Sequence, residues 1–277
     1  MSVAPSLSVT VNDTVKVPSV AYVCEGATPL AVTDCLNFGS PENPEIMWQF
    51  AEALRGLGDG CRELETPVVS GNVSFYNETD QVPIKPTPMI AMVGLLDDVS
   101  THRTMAFAGP GITVAVVGEL GGGLGASEYL ATVHGSVRGR PVPYVHAQHK
   151  PVFDAVLAMG SQISSCHDIS DGGLFVALAE CCLTAETKVG IDFELSHPSA
   201  RADELLFGEG PARFVIGFAE TETETIAGIA QTHGVPMQII GRTGGATITG
   251  KVCGQPIEVA IDDALHAWTE GFRSVAS

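Results

Sequence analysis

The stretch "TPVVSGNVSFYNETD" (residues 66–80) has the β-branched make-up of a strand, yet a Gly-Asn pair interrupts it and small polar residues follow. Interior glycine weakens a strand unless another backbone or a ligand must come close. The question is what approaches Gly71, Asn72 and Ser74. Asn72 offers a neutral oxygen ligand, Ser74 a hydroxyl, and Gly71 room for a nucleotide to lie on the backbone. A β-bulge around a hydrogen-bonded Asn is the alternative reading.

Outward from this strand, "PLAVTD" (29–34) is a short apolar run ending on an acid, read as a buried strand. Between the two, "SPENPEIMWQFAEALRGLGDG" (40–60) predicts a helix. Asn43 is placed to cap it, Pro44 suits its first position, and Gly58 or Gly60 is expected to end it. Ile46, Phe50, Ala53, Leu54 and Leu57 recur at helical spacing and define one buried face. A further strand, "MIAMVGLL" (89–96), precedes a boundary near "FAGPGI" (107–112). Beyond it, strands "ITVAVVGEL", "RFVIGFA" and "PMQIIG" alternate with helices in "ASEYLATVHG", "YVHAQHKPVFDAVLAMG", "TETETIAGIAQTHG" and "DDALHAWTEGF". Two short strands precede the last helix. This pattern predicts a two-lobed α/β (α+β) fold, with residues 1–108 forming the first lobe and 109–277 a C-terminal α/β lobe.

Composition narrows the function. The formal net charge is −18, from 32 acidic and 14 basic side chains, and such a field repels nucleic acid and anionic membrane. An acidic protein that binds phosphates needs metal ions, backbone N–H groups and helix N-termini. Seven scattered cysteines without a C-x-x-C pair indicate reduced thiols, and with no membrane-length apolar run the expectation is a cytoplasmic protein.

Two further glycine clusters carry competing readings. "GGGLGA" (121–126) satisfies the dinucleotide fingerprint in form, but "RPVPYVHAQ" (140–148) supplies no acid where the fingerprint wants one, so a turn is the better reading. In "HDISDGGLFVALAE" (167–180), Ser170 or Asp171 is placed to cap a helix while the glycines allow the turn. That leaves Asp168 without a role. Two aspartates three apart beside a helix N-terminus also suit a metal-bridged phosphate. His146 and His149 are too closely spaced for the usual helical zinc pair and are assigned to a surface loop.

Taken in order, "PLAVTDCLNFGSPENPEIMWQF", "TPVVSGNVSFYNET", "PTPMIAMVGLL", "GLGASEYL", "HDISDGGLFVALAE" and "LLFGEGPARFVI" resemble the synthetase subunit of phosphoribosylformylglycinamidine synthase. The resemblance runs over residues 22 to about 220 and covers only that family's second half. The wider superfamily includes aminoimidazole ribonucleotide synthetase. The resemblance implies an ATP-dependent carbon–nitrogen ligase of purine biosynthesis: ATP activates the amide oxygen of formylglycinamide ribonucleotide, and ammonia from a glutaminase subunit displaces phosphate.

By motif, the resemblance assigns ATP contacts to Asp34 and Gly71, a Mg²⁺ ligand to Asn72 and a substrate contact to Ser74. Asp168 (Mg²⁺) and Ser170 (nucleotide) match a motif that holds a second, structural nucleotide in larger relatives. No catalytic residue is assigned, because the family's catalytic histidines, ATP-contacting lysine and two metal-binding acids belong to the first half. "MSVAPSLSVTVNDTVKVPSV" (1–20) stands in place of the family's opening strand, and Ser40 where an Asn is usual. The resemblance thus implies a chain inactive alone, completed by a first-half partner or a second copy, and leaving an exposed sheet edge. The rival readings are a catalytically silent nucleotide-binding or scaffolding module and a homodimeric ATP-using relative.

Overall fold

The computed structural model describes residues 22–276; the segment 1–20 singled out above lies outside them. A first, three-stranded sheet is built from β1 (Thr28–Asn37), β2 (Val68–Ser74) and β5 (Thr87–Leu95), in the order β2-β1-β5. β1 and β2 are parallel and β5 runs antiparallel to β1. The parallel pair requires a crossover, and helix α1 (Pro44–Glu63) supplies it. Asn43 accepts the Glu45 N–H, and Pro44 opens the helix as expected. The helix does not stop at Gly58 or Gly60. It runs on to Glu63 because Leu57 is buried in the same stripe as Ile46 and Ala53, which outweighs a glycine cost of ~1 kcal/mol apiece. Leu54, assigned to that buried face, is 42% exposed. Phe38, Phe50 and Phe75 lock helix to sheet through two edge-to-face contacts, with centroids 5.3 and 4.9 Å apart. A two-rung ribbon, β3 (Glu78–Thr79) with β4 (Val82–Pro83), folds over this end.

The second sheet has seven strands in the order β12-β11-β8-β10-β6-β9-β7. Its strands are β6 (Thr113–Val117), β7 (Ile163–Asp168), β8 (Ile191–Leu195), β9 (Phe214–Phe218), β10 (Met237–Thr243), β11 (Thr247–Val252) and β12 (Gln255–Ala260). Only the β8–β11 pair is parallel. β7 and β8 are strands that the sequence reading omits. Every residue of β6 is buried, because helices cover both faces of the sheet. Val114 and Val116 join one core with helices α4 (Gly173–Leu183), α5 (Ala202–Phe207) and α7 (Ile261–Ala276). Ala115 and Val117 join the opposite core with α3 (His146–Ala158) and α6 (Thr223–Thr232). His146 and His149 therefore lie on a helix, not in a surface loop. The remaining helix, α2 (Glu128–His134), follows the glycine-rich turn and is capped by the Ser127 hydroxyl. Met92 and Leu96, at the end of β5, pack on the α3/α6 core and join the first sheet to the second.

The loops at one end of the second sheet hang from one buried cation. Arg213 donates to the carbonyl oxygens of Glu119 (2.9 Å), Gly208 (2.8 Å) and Leu120 (2.8 Å), and burial depresses its pKa to about 10. Truncating Arg213 to Met strands all three carbonyls. The expected loss is about 3 kcal/mol or more, read as a lower urea midpoint for Arg213→Met than for the parent chain.

Candidate functional site

The candidate residues fall into two groups on two sheets. In the first, register pairs Asp34 with Gly71, Cys35 with Asn72 and Asn37 with Ser74 across the parallel strands. A Cβ on Gly71 would lie 2.6 Å from both carboxylate oxygens of Asp34. What approaches Gly71 is therefore a neighbouring carboxylate, and the glycine is small because Asp34 leans across it.

Side chains alternate between the faces of a strand. Asp34 and Gly71 point, with Leu36, to the face covered by α1, where the Asp34 charge helps to raise the pKa of Cys61 after burial itself. Asn72 points to the opposite face. So does Ser70, whose hydroxyl meets that of Thr33 at 2.8 Å. Ser74 shares this parity, and its hydroxyl lies 3.2 Å from the Asn77 amide. The fold thus brings Asp34 to Gly71 and Asn72 towards Ser70 and Ser74, and sets the two pairs on opposite sides of the sheet. β2 is an outer strand of this sheet, so only a ligand lying across its edge reaches both. On the same open face, across β1 from Asn72, runs an apolar row from β5, with Met89, Val93 and Leu95 exposed by 54%, 58% and 51%.

The second group closes the outer edge of the seven-stranded sheet. Asp168 is the last residue of β7, and the chain turns through Ser170 and Asp171 into α4. Neither Ser170 nor Asp171 caps that helix, contrary to the sequence reading. Gly172 occupies the cap position with a φ of 78°, and Gly173 follows with a φ of 73°. Side chains are unwelcome here on spatial grounds too, since a Cβ on Gly173 would lie 2.6 Å from the Phe207 carbonyl carbon. The cap comes from a distant residue. Glu209 accepts the Gly172 N–H at 3.0 Å and, on the same oxygen, the Glu128 N–H at 2.8 Å. One carboxylate holds the first amides of two helices, where the helix dipoles favour negative charge.

His167 is the other residue that sequence reasoning missed. It lies 3.3 Å from Asp168 and 2.8 Å from Glu180, one carboxylate on each ring nitrogen. Burial alone would depress the His167 pKa, but the hydrogen bonds to Asp168 and Glu180 outweigh it and hold the pKa at about 9. Asp168 mirrors this: burial would raise its pKa, and the hydrogen bond from His167 brings it below the usual carboxylate range. Partial desolvation, followed by neighbouring carboxylates, moves Asp171 upward. Desolvation also raises Glu209, against the two backbone N–H groups that it accepts. The available signals were "HD" ahead of an acid on the next helix, and an acid inside the Gly-Pro loop "GEGPAR". Among the described residues no three His, Cys, Asp or Glu side chains form a preassembled metal cage.

The "GGGLGA" turn is filled by protein. A Cβ on Gly122 would meet the Gly208 carbonyl carbon at 2.5 Å, one on Gly123 the Val142 side chain at 2.8 Å, and one on Gly125 the Arg140 carbonyl oxygen at 2.3 Å. These glycines admit neighbouring protein atoms, in keeping with the turn reading.

A βαβ sheet followed by a mixed, doubly covered sheet defines a class. Residues 13–96 match the family model of AIR synthase related protein, N-terminal domain, and residues 109–252 that of the C-terminal domain, so the chain belongs to the AIR synthase related family. Within the family it is 46% identical, over 91% of its length, to phosphoribosylformylglycinamidine synthase subunit PurL of Anaeromyxobacter sp. strain Fw109-5. It is 42% identical, over 90% of its length, to the same subunit of Thermomicrobium roseum. The chain spans about a third (34%) of each of these relatives. Among solved structures, Thermotoga maritima PurLQS superposes with a TM-score of 0.72 at 17% identity, over 94% of this chain and 42% of that one. The Escherichia coli hydrogenase maturation protein HypE gives 0.68 at 14% identity, over 91% and 79%. These two likenesses establish the fold. Among the described residues no helix is long and apolar enough to cross a membrane.

Two outcomes are expected. Gly71→Ala turns the Asp34 carboxylate to another rotamer and costs about 1 kcal/mol, read as a slightly lower melting temperature and faster amide exchange along β1 and β2. Because the folded pKa of His167 is raised from 6.5 to about 9, its stabilisation is complete below pH 6.5 and fades as pH climbs through 9. The loss is on the order of 2 kcal/mol, and His167→Gln flattens that part of the stability profile in urea titrations.

Proposed function

We propose that this chain forms one wall of the nucleotide and substrate site of a phosphoribosylformylglycinamidine synthase. In this reading it takes part in the ATP-dependent conversion of formylglycinamide ribonucleotide and ammonia to the amidine. The observation that carries the reading is the identity of 40–46% to PurL subunits across about nine tenths of the chain. The open face supports it. Asn72 is exposed and makes no side-chain hydrogen bond among the described residues, so its amide oxygen is uncommitted. Solved T. maritima PurL structures carry ATP and FGAR.

In this assignment Asp34 and Gly71 contact ATP from one side of the β2 edge, while Asn72 holds Mg²⁺ and Ser74 the ribonucleotide on the other. Since no three-ligand cage occurs among the described residues, a cation here would rely on nucleotide phosphates and one or two protein oxygens, the usual habit of Mg²⁺. Its contribution is to neutralise charge on the transferring phosphoryl group. Asn72 fits that role better than Asp168, whose charge is already matched by His167. Asp168 and Ser170, on the other sheet, belong to a separate, structural nucleotide. The boundary of the two lobes in this reading, between residues 108 and 109, is consistent with a second matched domain that begins at 109.

The exposed row of Met89, Val93 and Leu95 gives this wall its partner. An apolar sheet face of this kind is covered by another protein surface. The fitting occupants are the synthetase's first half, or a second copy of this chain, with a glutaminase subunit delivering ammonia. The isolated chain is inactive in this reading.

The test is calorimetric titration of Mg-ATP into the chain, alone and mixed with a separately expressed first half. Tight binding and ammonia-dependent turnover are expected in the mixture only, with Asn72→Ala weakening Mg-ATP about tenfold or more. Unchanged affinity in Asn72→Ala removes Asn72 from the site. ATP binding by the chain without turnover in any mixture replaces the ligase reading with a silent nucleotide-holding module.

A further inference from the structure

The glycine-rich turn 121–126 has a job that no nucleotide explains: it seats a second loop. Ala126 donates its N–H to the Arg138 carbonyl at 2.7 Å. The backbone of Arg140 lies where a Gly125 Cβ would be, and Gly139, with a φ of 86°, backs directly onto Gly125. This backbone-on-backbone contact fixes the segment 138–140 to a turn that is itself anchored through Gly122 to Gly208 and Arg213.

What the seat presents is unusual for this molecule. Arg55, Arg62, Arg201 and Arg242 each pair with a carboxylate. Arg103 and Arg213 are buried and donate to backbone carbonyls. Among the arginines whose side chains are described, Arg138 and Arg140 alone have no side-chain partner, and both are exposed. Acids outnumber bases by 32 to 14, yet neither of these two guanidinium groups pairs with a carboxylate. The two sit on either side of one glycine, on rigid backbone.

We propose that the Arg138–Gly139–Arg140 loop is a recognition site for the phosphomonoester group of a small phosphorylated metabolite. The guanidinium fork matches phosphate oxygens two at a time, and two forks on one pinned loop can hold a dianion from two sides. A local positive point on a protein of net charge −18 also gives an approaching anion a place to land. The site is independent of the β2 face and of the ligase reading, so it is measured without ATP or a partner.

The experiment follows the arginine Nε–H resonances of the ¹⁵N-labelled chain at low ionic strength while ribose 5-phosphate, inorganic phosphate or ribose is added. Saturable shifts at Arg138 and Arg140 are expected with ribose 5-phosphate, weaker ones with inorganic phosphate, and none with ribose. The exposed double variant R138A/R140A is expected to bind about tenfold or more weakly with an unchanged amide spectrum. R138K/R140K keeps the charge without the fork and is expected to fall between the two. The proposal is overturned by absent shifts, by equal shifts at Arg55 or Arg62, or by undiminished affinity in R138A/R140A. Equal affinity for ribose 5-phosphate and inorganic phosphate overturns the metabolite and leaves bare phosphate as the ligand.

Discussion

A guanidinium that pairs with backbone carbonyls and with no carboxylate organises the second sheet. A buried charge has to be solvated by something, and three carbonyl dipoles do this for Arg213. Those carbonyls belong to Glu119, Leu120 and Gly208, so the loops after β6 and after α5 cannot part without exposing the cation to a dry environment. Gly123 and Glu209 then exchange both of their backbone hydrogen bonds at 2.9 Å. That contact aims the Glu209 carboxylate at the ends of α2 and α4. The Arg213 carbonyl takes the Ile169 N–H at 2.8 Å, which fixes the residue after Asp168. The glycine-rich turn, the arginine loop and the acidic turn into α4 thus trace back to one side chain.

Local signals were legible where they were self-sufficient. Asn43, Pro44 and a stripe of apolar residues specify the start of α1 without help from the rest of the chain. Its end was not legible, because the decision lay with Leu57 packing under the sheet and not with Gly58 or Gly60. β8 shows clean alternation, Ile191, Phe193 and Leu195 inward with Asp192 and Glu194 outward, a local signal sufficient for a strand. α5 has six residues, too short to display a period. The cap of α4 was beyond any local reading, since its acceptor is 37 residues away.

The glycine motifs teach a narrower lesson. Each marks a real close approach, and in each the approaching atoms are protein: the Asp34 carboxylate at Gly71, Phe207 at Gly173, Arg140 at Gly125. Glycine reports proximity and says nothing about what is near. Pairing of motifs along the chain is equally silent about direction, because Gly71 and Asn72 are neighbours in sequence and face opposite ways in a strand. On the open face Asn72 is exposed and makes no side-chain hydrogen bond among the described residues.

The closeness of Asp34 to Gly71 also governs how this part of the chain can drift over generations. The two positions share one volume across adjacent strands, so a side chain gained at 71 has to be matched by a retreat of the one at 34. The order is constrained as well. Shrinking residue 34 first leaves only a gap beside the sheet, whereas enlarging residue 71 first drives a methyl group into a carboxylate. Lineages that fill position 71 therefore turn the acid away or lose it, and those that need the acid in its present place keep the glycine with it.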